Sequence, residues 1–138
     1  RETIPLSKRA YGTALNHDVA VPVSAIPDFL TATEAEIQKL VPEAEIVAFG
    51  HVGDGNFHVV FSIDPDAPEE MREVEALNAR LVERALAMDG TCTGEHGIGL
   101  GKQEWLVAEL GDAVDEMRTI KRALDPDNLL NPGKIFSL

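Results

Sequence analysis

Cysteine is almost absent from this chain. The single one, Cys92, rules out an internal disulfide and a thiolate zinc cage, and a lone thiol is compatible with a reducing compartment. Basic residues are scarce as well: 12 Lys and Arg stand against 24 Asp and Glu, for a formal net charge of −12. Phosphate binding needs clustered Lys and Arg, so the chain is a poor candidate for binding nucleic acid or an anionic membrane. The one local basic group, Arg118 with Lys121 and Arg122, reads as a solvated helix face, and acidity of this kind serves solubility. No apolar run approaches the roughly 18 residues of a membrane span. There is no signal-peptide pattern, no internal repeat and no low-complexity linker. Methionine is missing at position 1: the chain opens on Arg1 in what reads as structured sequence, so a domain from a longer protein is expected, completed by a segment outside it. What is present is 138 residues, 44% hydrophobic and 26% charged, the composition of one globular domain with a single core.

The chain is organised around the stretch from Phe49 to His58. Ile46-Val47-Ala48-Phe49 and Phe57-His58-Val59-Val60-Phe61 are rich in β-branched and aromatic residues and read as two strands. Asp54-Gly55 between them is a type I′ turn signal, because Gly tolerates the positive φ that such a turn demands. A two-residue turn there sets Val52 opposite Phe57 and His51 directly opposite His58. Opposed residues share a face with Cβ atoms roughly 4.5–5.5 Å apart, close enough for two imidazoles to grip one ion. Downstream, Thr91-Cys92-Thr93-Gly94-Glu95-His96-Gly97-Ile98-Gly99 places a carboxylate and an imidazole between glycines, which suits backbone that closely approaches something else. Two His and one Glu with a position left open is a catalytic arrangement for zinc. The plainer alternative makes both histidines ordinary polar residues beside a turn.

In chain order, His17 to Val23 alternates as a strand ending at Pro22, with His17, Val19, Val21 and Val23 against Asp18, Ala20 and Pro22. Ser24 is placed to N-cap a helix with Pro27 in its first turn and Ile26, Phe29, Leu30, Thr33, Ile37, Leu40 and Val41 on one face; Pro42 ends it. The hairpin strands come next, near 45–51 and 57–63, with Phe57, Val59, Phe61 and Ile63 opposite the His58 face. A helix from Asp66 to Met88 starts with a capping box of Asp66 and Glu69, carries Met71, Val74, Leu77, Leu81 and Met88 as its stripe, and stops at Gly90. Residues 91–94 form a short fourth strand. The order is βαββαβ, an α+β, ferredoxin-like antiparallel sheet with both helices on one face and the other face free to roof a site. Helices over 102–110 and 112–124, the second with Ala113, Met117, Ile120 and Leu124 inward, and an apolar tail after Asp125-Pro126 complete the chain.

Other signals are weaker. Gly97-Ile98-Gly99-Leu100-Gly101-Lys102 fails as a phosphate loop, since Gln103 comes after Lys102 and no Gly lies five before Gly101. No βαβ unit surrounds it to make a dinucleotide site. Cys92 reads as a core thiol, Trp105 as packing, and His17 as structural on its strand face.

Taken together, Arg1-Glu2-Thr3-Ile4-Pro5, His17-Asp18-Val19-Ala20-Val21-Pro22, the Gly50-to-His58 stretch, Gly94-Glu95-His96-Gly97-Ile98-Gly99 and Leu124-Asp125-Pro126 through Asn131-Pro132-Gly133-Lys134 resemble one family over essentially the whole chain. It is the C-terminal domain of FAD-linked oxidases of the vanillyl-alcohol-oxidase type, in the branch of D-lactate, glycolate and D-2-hydroxyglutarate dehydrogenases. The resemblance implies that residues 1–138 are a cap whose sheet covers the isoalloxazine ring of FAD held by an N-terminal domain of the same parent chain. It implies that His51, His58 and Glu95 ligate a divalent metal, zinc by its ligand set, that His96 takes the hydroxyl proton as hydride leaves the α-carbon, and that Arg1 pairs with the substrate carboxylate. No residue is assigned to FAD, and the electron acceptor beyond the flavin is unspecified. The implied location is cytoplasmic, or peripheral to the inner membrane through that acceptor. Members that handle 2-hydroxyglutarate carry Lys, Thr and Asn where this chain has Asn16, Pro5 and Val60, which favours a smaller 2-hydroxy acid such as lactate or glycolate. By itself the domain is expected to bind metal weakly or not at all and to catalyse nothing, because the hydride acceptor is elsewhere. Two rival expectations are a stand-alone metal-dependent hydrolase, turning over esters or amides without flavin, and a non-enzymatic ferredoxin-like ligand-binding or dimerisation module in which His51 and His58 are dispensable.

Overall fold

The computed structural model describes residues 13–40, 46–64 and 66–138. The chain forms two compact units, Arg1–Glu95 and His96–Leu138.

The first unit is α+β. Strand β1 (Thr13–Ala20) leads into a 3-10 turn over Val23–Ala25 and helix α1 (Ile26–Leu40), then strand β2 (Ile46–His51), a second 3-10 turn over Val52–Asp54, strand β3 (Asn56–Ile63) and helix α2 (Pro68–Ala87). The three strands make one antiparallel sheet in the order β1-β3-β2. The expected fourth strand shrinks to a bridge: Ala20 and Thr91 exchange two backbone hydrogen bonds, and pairing goes no further. Its place beside β1 is that of the fourth strand in a ferredoxin-like sheet.

Alternation explains which face is buried. Val19, Phe57, Val59 and Phe61 lie on one side of the sheet and are almost fully buried, with the Phe29 ring of α1 6.2 Å from that of Phe57. Val74, Leu77, Leu81, Val82 and Ala85 of α2 complete this core. Each buried Val, Leu or Phe side chain contributes about 1.5–3 kcal/mol by leaving water. His17 belongs to this face, paired with Val59 and set edge-on to Phe61 at 6.0 Å, a packing role as expected. The two helices are clamped by Glu36 of α1, which binds both Arg80 and Arg84 of α2, while Arg84 also donates to the Thr33 hydroxyl.

Helix boundaries differ from the sequence pattern at their caps. Ser24 does not cap α1; it lies inside the 3-10 turn that precedes that helix. Helix α2 begins with Pro68 as its first residue and Ala67 at the cap position without a side-chain bond, so the Asp66–Glu69 capping box is replaced by Glu70, whose carboxylate accepts the Asp64 N–H. At its other end Asp89, with φ 58°, takes the left-handed conformation expected of Gly90. Gly90 is needed for closeness: a Cβ there would stand 2.6 Å from the Ala85 carbonyl and against that of Ala20. Pro42, expected to end α1, lies outside the described residues.

The second unit holds α3 (Gln103–Leu110) and α4 (Ala113–Leu124), with Leu106 and Val114 buried. Asp125 organises the turn at the end of α4. Its carboxylate accepts the Leu129 and Leu130 N–H groups, both at 2.9 Å, and pairs with the Lys121 ammonium, which also donates to the Leu130 carbonyl. The expected inward stripe of α4 does not hold. Val114 is the buried residue, whereas Ile120 and Leu124 are 60% and 80% exposed.

Candidate functional site

The turn between β2 and β3 decides how the two histidines meet. The chain does not make a two-residue turn at Asp54-Gly55. Val52–Asp54 forms a 3-10 turn and Gly55 comes next with φ 73°, so the loop has four residues and His51 pairs with Asn56. His58 faces Phe49 instead of His51. The Val21 N–H donates to the Gly55 carbonyl at 3.0 Å, and a Cβ on Gly55 would overlap the Val21 carbonyl. This contact with the segment after β1 favours the longer loop. The partner of His58 moves by two positions, an even number, so both imidazoles still stand on the same side of the sheet. They are diagonal neighbours with ring centroids 6.4 Å apart, within reach for long side chains.

That side is opposite the helical core. His58 is buried there, 4% exposed, and the Phe49 ring stacks on its imidazole at 5.1 Å. His51 is exposed at the end of β2. Glu95 reaches both: its Oε1 lies 2.9 Å from His58 Nε2 and its Oε2 lies 3.9 Å from His51 Nε2. One donor atom from each of His51, His58 and Glu95 falls within 4.8 Å of the others. Ligands each about 2.0–2.2 Å from one zinc stand at most about 4 Å apart, so small side-chain movements close this set on an ion. Two imidazoles and a carboxylate, with solvent on one side, are chemically suited to a divalent cation with an open position.

Glu95 is delivered by residues 91–95, which leave the Ala20–Thr91 bridge and run over the ends of β1 and β3. Gly94 permits the approach. A Cβ there would overlap Asn56 Oδ1, stand 2.6 Å from Asn56 Cγ and 3.1 Å from Asp18 Oδ2. Gly97 and Gly99 have positive φ but no neighbour that a Cβ would meet, so the expectation of close approach holds for the first of these glycines and not for the other two. His96 is exposed and opens the second unit. Arg1 and Pro5 lie outside the described residues. Cys92 is a buried free thiol. No helix among the described residues is long and apolar enough to cross a membrane.

Residues 1–135 match the family described as FAD linked oxidases, C-terminal domain. The chain belongs to that family. Among similar proteins, this FAD linked oxidase domain is 47% identical over 131 residues to a probable D-lactate dehydrogenase, mitochondrial, of Danio rerio, covering 94% of the chain and 25% of that protein. It is 41% identical over 128 residues to a D-2-hydroxyglutarate dehydrogenase of Xanthomonas citri pv. viticola, covering 90% of the chain and 27% of that protein. It is 37% identical over 138 residues to glycolate oxidase subunit GlcD of Bacillus subtilis, covering 99% and 29%. The domain thus spans about a quarter of the length of these relatives.

Two residues of the domain's site are not singled out by the sequence pattern. Phe49 reads only as a strand residue, and its stacking on His58 depends on the true register. Asp18 reads as part of the polar side of β1 and is completely buried. A signal exists: Asp18 lies between the apolar Val19 and the structural His17, on the opposite parity, hence on the side that carries His58.

Proposed function

We propose that this domain is the substrate- and metal-holding cap of a flavin-dependent dehydrogenase that oxidises a D-2-hydroxy acid to the 2-oxo acid, hydride passing from the α-carbon to FAD. The observation that carries the reading is the meeting of His51, His58 and Glu95 on the face of the sheet away from the helices. His51, His58 and Glu95 would hold the ion, which when bound supplies a Lewis acid that lowers the pKa of the substrate hydroxyl. FAD, carried by the rest of the parent protein, supplies the hydride acceptor.

The chain's own residues would divide the remaining work. His96 accepts the hydroxyl proton, a task for which an imidazole near neutral pKa suits, and Arg1 forks the carboxylate of the substrate. Buried His58, stacked by Phe49, is the rigid member of the set, and exposed His51 adapts to it.

Substrate size is set by β1 and β3. Positions 16 and 60 are directly paired, two residues along from the Asp18–His58 pair. By the family resemblance, Asn16 and Val60 stand where members acting on the dicarboxylate carry Lys and Asn. Their loss from one place removes the anchors for a second carboxylate, and lactate or glycolate is the substrate class. Membership in a flavin-linked family explains the ligand set without a flavin-free hydrolase.

The test is the flavin spectrum of the full-length protein. Anaerobic addition of D-lactate or glycolate is expected to bleach it, and chelator is expected to suppress the bleaching. If no acid in a panel of D-2-hydroxy acids bleaches the flavin, the proposal is wrong.

A further inference from the structure

Glu95 sits in a segment without regular secondary structure, four residues beyond the Ala20–Thr91 bridge. A ligand on such a segment wanders unless its backbone is held, and metal sites tolerate only about 0.5 Å of displacement. Asp18 supplies a hold. It is 0% exposed, it pairs with His58 across β1 and β3, and its Oδ2 accepts the Glu95 N–H at 2.6 Å while Oδ1 accepts the Thr93 hydroxyl at 3.5 Å. Burying a carboxylate is costly unless hydrogen bonds compensate. These bonds are directed at the two residues that flank Gly94, where the segment lies against Asn56.

We infer that Asp18 is a positioning residue, which holds the main chain at Glu95 so that its carboxylate meets His58 and His51 in ion-binding geometry. The inference rests on the metal-site reading above. The bond acts on the Glu95 amide, so it fixes the origin of the side chain and leaves the carboxylate free to bind. Acceptance of an N–H by an ionised oxygen is about twice as strong as acceptance by a neutral one, so a carboxylate can hold this N–H more firmly than a side-chain amide.

The test is zinc binding by the full-length protein, freed of metal and titrated against a competing chromophoric chelator. Asp18→Ala is expected to weaken zinc binding about 10–100-fold, the usual loss when an outer partner of a metal ligand is removed. Asp18→Asn, which keeps an acceptor without the charge, is expected to lose about fivefold. If Asp18 acts through Glu95, Asp18→Ala adds nothing in a Glu95→Ala background, by the logic of a double-mutant cycle. The visible spectrum of the cobalt-substituted Asp18→Ala protein then approaches that of Glu95→Ala, a change that loss of stability alone does not produce. Should Asp18→Ala fail to fold, Asp18→Asn with and without Glu95→Ala carries the same comparison. Variants that bind within twofold of wild type, or that lose as much with Glu95 absent as with it present, overturn the inference. Wild-type protein that binds no zinc overturns the metal site itself and this inference with it, so the two failures are told apart by the wild-type titration.

Discussion

Adding one methyl group at Gly94 tests how Glu95, the third proposed ligand, is delivered. In Gly94→Ala the new carbon stands 2.6 Å from Asn56 Cγ and 3.1 Å from Asp18 Oδ2, and overlaps Asn56 Oδ1. Carbon atoms pack at about 3.5–4.0 Å, so Gly94 and Asn56 must separate by about 1 Å. Asn56 is 7% exposed and has little room, so most of the movement falls on residues 93–95. A 1 Å retreat stretches the 2.6 Å bond between the Glu95 N–H and Asp18 beyond hydrogen-bond length. Overpacking costs about 1–3 kcal/mol, and the displaced carboxylate is twice the tolerated distance from its working position. Urea unfolding of the metal-free protein is expected to show that loss, and chelator competition a zinc affinity lower by about 10–100-fold. Asn56→Ala combined with Gly94→Ala removes the obstructing atoms and is expected to recover most of the affinity. A Gly94→Ala protein with unchanged stability and zinc affinity refutes the argument, as does a double variant no better than the single one.

Asp125 makes stability depend on acid. The Lys121 ammonium, then the Leu130 and Leu129 N–H groups, hold its pKa at about 2, below the ordinary 3.8. A carboxylate with a lowered folded pKa stabilises fully above the unfolded value, and that contribution is lost as pH falls from about 3.8 to about 2. The melting-temperature difference between wild type and Asp125→Asn is therefore expected to be largest near neutrality and to shrink across that window; a difference independent of pH contradicts it. The paired positions of β1 and β3 give a specificity test. Asn16→Lys with Val60→Asn is expected to raise kcat/KM for D-2-hydroxyglutarate relative to D-lactate by about tenfold or more, since one hydrogen bond to a charged group contributes about 1.5–3 kcal/mol. Steady-state assays of the full-length protein with both acids check this, and an unchanged ratio refutes it.

The residue pattern is enough for the three strands, the helices and the two faces of the sheet. Alternation in Phe57-His58-Val59-Val60-Phe61 separates core from site because the side-chain period of a strand is local and needs no neighbour. The donor types of the proposed ligands His51, His58 and Glu95 are readable for the same reason, since their chemistry is their own. The partner of His58 is not readable. It depends on a loop of four residues, set by a contact between Gly55 and Val21, which are 34 positions apart in the chain. Asp18 looks like a solvent-facing acid because nothing local announces that residues 93–95 will cover it. The stripe of α4 shows the converse limit. Hydropathy marks Ile120 and Leu124 as one apolar face, yet both are largely exposed. Periodicity assigns side chains to faces one element at a time, whereas register, burial and the approach of Glu95 are set by contacts between segments far apart in the chain, and those exist only once it has folded.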